Sequence, residues 1–160
     1  VLDAEHVPWT AHPYVHDPTV TAYGAEAAQA LGVATERVLK TLMVDADGEL
    51  VVAVIPVAGR LDLGAIAAVM GAKRATLADR AVAERRTGYV SGGISPLGQK
   101  VAHRTAVDAS VVDHGTVFVS GGRRGFDVEL SPTDLVRLTG ATVSPIVSRS
   151  LPDPGPDPQP

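Results

Sequence analysis

The sequence predicts an α+β fold built on a mixed, curled β-sheet with short helices at its periphery. Three observations carry this. Strand-like segments dominate the middle of the chain, the helical segments are short and scattered, and two strands are joined directly by a tight turn instead of a helical crossover. A doubly wound array would alternate strand and helix throughout.

In chain order, residues 1–7 read as the end of a helix whose start is missing. Residues 7–16 alternate like a strand, with prolines confining them to a sheet edge. Residues 25–31 form a short helix closed by Gly32. LKTLMVD and ELVVAVI flank Ala46-Asp47-Gly48, which predicts a hairpin with Asp-Gly in the turn. Residues 61–71 form a helix ending at Gly71, and Asp79 caps another that runs to Gly88. HRTAVDA, GTVFVS and FDVEL are strands. Ser131 and Pro132 suit the N-cap and first position of a helix that Gly140 ends, and ATVSPIV is the last strand. No internal repeat is present. A single domain over residues 1–149 is expected, followed by a proline-rich tail over 150–160 that suits polyproline or disordered chain.

Composition narrows the function. The 160 residues are 45% hydrophobic, enough for a core, and with aromatics at 4% that core rests on Val, Ala, Leu and Ile. The net charge of −4 argues against strong autonomous binding to DNA or RNA; Lys73-Arg74, Arg85-Arg86 and Arg123-Arg124 suit a local basic patch or, more simply, solvated surface pairs. The absence of cysteine excludes disulfides, thiolate metal sites and a cysteine nucleophile. No apolar stretch approaches a membrane span and no secretory leader stands at the start, so a cytoplasmic location is expected.

Chemistry points to two glycine-rich runs, GYVSGGISPLGQK over 88–100 and VSGGRRGFDVEL over 119–130. Glycine at this density marks positive φ or backbone that another group approaches closely. Two such loops suggest a cavity floored by backbone N–H groups, suited to an anion or a developing oxyanion. Each run also suits a plain tight turn. Neither is a P-loop or a dinucleotide fingerprint, and no G-x-S-x-G elbow is present. His12 and His16 lie too far apart along a strand to share a metal, and His103 and His114 lie in unrelated segments, so no metal site is expected. Lys40 stands among apolar residues at the start of a central strand, and Asp127 opens an apolar strand beside a glycine loop. A buried lysine needs a role or a partner, although a strand-end lysine can also snorkel to solvent.

VLKTLMV, AVIPVAGRLDL, the stretch from GAKRATLADR to GGISPLGQK, and VFVSGGRRGFDVEL together resemble the YbaK/ProX family of bacterial aminoacyl-tRNA deacylases. The ordered set runs from about Tyr14 to Ile146. The family is related to the editing domain of bacterial prolyl-tRNA synthetases, and GGISPLGQK resembles its YbaK branch. That resemblance implies a curled, barrel-like sheet fold and removal of Cys from mischarged tRNA(Pro), with the substrate thiol as nucleophile and a thiolactone as product. It implies catalytic roles for Lys40, Gly92, Gly93, Ser120 and Asp127, with the N–H groups near Gly92 and Gly93 holding the carbonyl oxygen. It implies substrate contacts from Tyr14, Tyr23, Thr41, Ser91, Ile94 and Gly121. It implies no cofactor, the 3′ end of aminoacyl-tRNA(Pro) as binding partner, and prolyl-tRNA synthetase as a transient one. Val101 stands where many relatives carry a second lysine, and Tyr23 where phenylalanine is common. A hydrolytic editor of Ala or Ser esters and a non-catalytic module binding a tRNA end or a protein remain open as alternatives.

Overall fold

The computed structural model describes residues 1–148; the tail expected from Ser150 lies outside them. Among the described residues, eight strands and four α-helices alternate irregularly. The strands are β1 (Thr10–Pro13), β2 (Leu39–Ala46), β3 (Glu49–Pro56), β4 (Ala75–Leu77), β5 (Thr105–Asp108), β6 (Val117–Arg123), β7 (Phe126–Leu130) and β8 (Thr142–Ser144). The helices are α1 (Tyr23–Leu31), α2 (Leu63–Met70), α3 (Arg80–Thr87) and α4 (Pro132–Thr139). The α+β expectation is met.

The sheet is divided where one curled sheet was expected. An antiparallel sheet in the order β1-β7-β6 stands beside a mixed sheet in the order β4-β2-β3-β5-β8. In the mixed sheet β3 pairs with β5 and β5 with β8 in parallel. An isolated parallel bridge, Val38 to Phe118, joins the sheets. The two sheets do not close into a barrel.

Local chemistry explains the elements. Asp47 and Gly48 have φ of 51° and 91°, the two positive values of a type I′ turn. The Asp45 carboxylate accepts from the Gly48 N–H at 2.7 Å. The Asp47 carboxylate accepts from the Lys73 and Arg74 N–H groups, so the turn also holds the approach to β4. Asp62, Asp79 and Ser131 cap α2, α3 and α4 through their side chains, and Gly32, Gly71, Gly88 and Gly140 end the four helices in the left-handed region.

Central strands β2 and β3 are apolar on both faces and separate two cores. On one face Met43, Val52 and Val54 meet Val117, Val119 and Leu130 of the smaller sheet. On the other, Val44, Val51 and Ile55 meet Ile66 and Met70 of α2. A third cluster packs Ala27 and Ala28 of α1 on Val38 and Phe118, directly over the bridge.

Three local expectations are corrected. Residues 1–7 form one helical turn and no α-helix; Glu5 N–H donates to Val1, Val7 N–H to Leu2, and His6 at φ 54° closes the turn. The strand expected over 7–16 contracts to β1, which ends at Pro13, a residue with no N–H to give the ladder. Strand β4 was not anticipated, because three residues are too few to show a period.

Candidate functional site

The site forms at the seam between the sheets. Strand β4 pairs only with Val44–Ala46, leaving the first half of β2 without that neighbour. Val38 bridges in parallel to Phe118 there. Two residues further along each strand are Lys40 and Ser120. Ser120 stands opposite Asp127 in the β6–β7 ladder, and Asp127 opposite His12 in the β7–β1 ladder.

A cleft opens over this row. Lys40, Thr41, Ser120 and Asp127 supply its polar surface. Tyr14, Tyr23 and Ala27 wall one side, and Gly92 and Ile94 come from the first glycine run. The structure thus brings together eight of the sequence-expected residues: Tyr14, Tyr23, Lys40, Thr41, Gly92, Ile94, Ser120 and Asp127. A second cleft, over Trp9, Tyr89, Leu97 and Phe126, shares Ser120 with the first.

Asp127 is 5% exposed. Burial pushes its pKa up to about 7, with the nearby His12 acting in the opposite sense. A carboxyl so placed changes charge near neutrality and is costly to ionise without a cation beside it. Tyr14 is pushed up to about 12, first by burial and then by the Asp127 charge, so its phenol remains protonated. Lys40 is half-buried in the same cleft.

Gly92 has φ +84°, and a Cβ there would lie 2.8 Å from Arg124 Nε and 3.0 Å from Tyr23 ring carbons. Glycine is required on both counts. Gly93 differs from expectation. Its N–H already donates to the Val90 carbonyl at 2.9 Å, so it is not an oxyanion donor. Its lack of a side chain lets the loop approach the Arg123 backbone, since a Cβ would come within 2.8 Å of Arg123 Cα. Among the described residues, the N–H groups of Gly92 and Ile94 have no protein acceptor, and both residues line the cleft.

Ser91 and Gly121 also stand off the cleft. Ser91 is buried; its N–H donates to Glu84 at 2.9 Å and its carbonyl accepts from Arg124 Nε at 2.7 Å. Gly121 admits the Phe126 ring, with which a Cβ would collide, and it lines the second cleft.

Sequence reasoning missed Arg124. Its guanidinium lies 4.7 Å from the Tyr23 ring centroid, a cation–π contact, while holding the Ser91 carbonyl. It therefore fastens the glycine loop to the tyrosine wall. The available signal was its place in a Gly-rich hairpin tip, which equally describes a solvated basic pair.

Three of the five histidines have side-chain partners. His12 pairs with Glu129 at 2.8 Å, His16 with Glu26 at 2.6 Å, and His103 with Gln99 at 2.8 Å. Among the described residues, no group of three or more His, Cys, Asp or Glu could hold a metal ion. No helix among them is long and apolar enough to cross a membrane.

Comparison with known proteins adds to this geometry. Residues 16–138 match the model of the aminoacyl-tRNA editing domain. A candidate Cys-tRNA(Pro)/Cys-tRNA(Cys) deacylase of Enterococcus faecalis, EbsC, is 34% identical over 123 residues, which cover 76% of this chain and 75% of that protein. A crystal structure described as a candidate trans-editing enzyme for prolyl-tRNA synthetase superimposes with a TM-score of 0.79 at 25% identity, covering 92% of each chain. That of a hypothetical protein superimposes with a TM-score of 0.82 at 30% identity, covering 92% of this chain and 96% of the other. The chain belongs to the aminoacyl-tRNA editing domain family and is by class an aminoacyl-tRNA deacylase.

Proposed function

We propose that this chain removes Cys wrongly attached to tRNA(Pro), using the substrate thiol as nucleophile. The observation that carries this is the convergence of Lys40, Gly92, Ser120 and Asp127 on one cleft in a chain that has no cysteine of its own. The reading treats residues 1–149 as one editing domain.

The thiolate sulfur attacks the carbonyl carbon of its own ester. A C–S bond forms, the C–O bond to the terminal ribose breaks, and the ribose oxygen takes up a proton. A cyclic thiolactone leaves. An intramolecular nucleophile gains the effective molarity of a preorganised reaction, so the protein supplies orientation and electrostatics. The Gly92 and Ile94 N–H groups are the oxyanion donors in this reading, replacing the Gly93 N–H that Val90 occupies. Lys40 sets positive charge beside the acyl-ribose end. Ionised Asp127 receives the substrate α-ammonium, which offsets the cost of a buried carboxylate. Tyr14 and Tyr23 bound the pocket.

Selection of tRNA(Pro) is assigned to prolyl-tRNA synthetase, acting transiently beside this chain in the cytoplasm. A cleft that reads only the acylated 3′ end does not see the anticodon, and a net charge of −4 gives little long-range attraction to RNA. The Enterococcus relative, described with both Cys-tRNA(Pro) and Cys-tRNA(Cys), supports poor discrimination by the deacylase alone.

The test is a substrate whose thiol is methylated. S-methylcysteinyl-tRNA(Pro) is expected to stay intact while Cys-tRNA(Pro) is cleared. Equal clearance of the two would show that water is the nucleophile.

A further inference from the structure

We propose that Arg124 binds the phosphodiester on the 5′ side of the substrate's terminal nucleotide, a role that rests on the deacylase reading above. Four observations converge. Arg124 stands beside the cleft, against two of its lining residues: its guanidinium lies over Tyr23, and its Nε is 2.8 Å from where a Gly92 side chain would begin. Its Nε–H is committed to the Ser91 carbonyl at 2.7 Å, which fixes the plane of the group. The two terminal nitrogens remain, and their parallel N–H groups match the geometry of a phosphate. Among the described residues no carboxylate pairs with Arg124, whereas Arg37 pairs with Glu129, Arg80 with Glu84 and Arg104 with Glu49.

A half-buried guanidinium without a carboxylate, held rigid beside a reaction cleft, suits an anionic ligand. The substrate supplies that anion at a fixed place. With the ester carbonyl at Gly92, the phosphodiester of the same nucleotide lies one ribose away, a short reach that the Arg124 side chain, beside Gly92 and Tyr23, is placed to meet. Exposed Arg123, stacked on Phe126 at 4.9 Å, adds positive charge to the same hairpin tip. Arg124 thereby couples the two ends of the terminal nucleotide. One side of the guanidinium holds the loop that contacts the carbonyl, and the other takes the phosphate.

The experiment compares cysteinyl-adenosine with and without a 5′-phosphate, and Cys-tRNA(Pro), as substrates of the full chain. Wild type is expected to favour the phosphorylated nucleoside by about tenfold or more in kcat/KM. Arg124→Met is expected to bring that ratio to about one, and Arg124→Lys to an intermediate value, because lysine keeps the charge without the planar fork. The ratio separates phosphate binding from loop positioning, since loss of positioning slows both nucleosides alike. A wild-type ratio of one, or an Arg124→Met ratio equal to wild type, overturns the proposal while leaving the deacylase reading intact. Should Arg124→Met not fold, the wild-type ratio and Arg124→Lys decide. If neither nucleoside is turned over, competition against Cys-tRNA(Pro) by AMP and adenosine gives the same ratio. Failure of wild type on Cys-tRNA(Pro) itself overturns both readings.

Discussion

Lys40 on β2 and Ser120 on β6 each stand two residues past the Val38–Phe118 bridge, on parallel neighbouring segments of two different sheets. The site therefore depends on how the sheets meet. Helix α1 covers that junction through Ala27 and Ala28, so the scaffold beneath the lysine is apolar and packed.

Gly92→Val is expected to abolish turnover while leaving a folded protein. Its φ of +84° and the 2.8 Å approach to Arg124 leave no room for a side chain. The strained backbone costs about 1–3 kcal/mol, within the reach of a domain this size. Steady-state kinetics alongside a thermal melt check this, and unchanged kinetics in the folded variant would reduce the loop to a turn.

Asp127 gives a signed pH dependence. Its folded pKa of about 7 exceeds the ordinary 3.8, so the folded state holds this proton more tightly than the unfolded state. The stabilisation is complete below about pH 4 and is lost as pH rises through 7. At about 1.4 kcal/mol per pKa unit the loss is roughly 4 kcal/mol. Asp127→Asn removes the dependence, so relative to wild type it should be more stable at pH 8 than at pH 4. Since the ionised carboxylate receives the ammonium, the variant should also lose the rise in kcat/KM through pH 7. Parallel stability profiles for the two proteins would contradict the assignment.

Chelation is expected to leave deacylation unchanged once Mg²⁺ is restored for the tRNA. His12, His16 and His103 are already hydrogen-bonded to Glu129, Glu26 and Gln99. Inactivation by EDTA that a transition metal but not Mg²⁺ rescues would reveal a protein-bound ion.

The isolated chain is expected to discriminate poorly between Cys-tRNA(Pro) and Cys-tRNA(Cys), and well once prolyl-tRNA synthetase is added. Strong discrimination alone, with tight salt-dependent tRNA binding, would contradict the partner assignment.

What the sequence made legible was local. Asp47-Gly48 dictates a hairpin through its own dihedral preferences, and Asp79, Ser131 and the glycines at 32, 71, 88 and 140 mark helix ends through bonds to nearby backbone. The division into two sheets was not legible, because the Val38–Phe118 contact joins residues far apart in the chain and leaves no periodic trace. The site shows the same contrast. Lys40 and Asp127 were conspicuous as charges in apolar strands. The engagement of the Gly93 N–H by Val90, and the stacking of Arg124 on Tyr23, depend on how the loops fold and on nothing in the residue types alone.

The most direct test of the account is single-turnover deacylation of Cys-, Ala- and Ser-tRNA(Pro) by wild type and by Lys40→Ala. Wild type should clear Cys-tRNA(Pro) far faster than the other two, because neither Ala nor Ser carries a thiol. Folded Lys40→Ala should be slower on Cys-tRNA(Pro) by on the order of 100-fold or more, the usual cost of removing a group that stabilises developing charge. Near wild-type deacylation by folded Lys40→Ala, or faster clearance of Ala- or Ser-tRNA(Pro), would contradict the account.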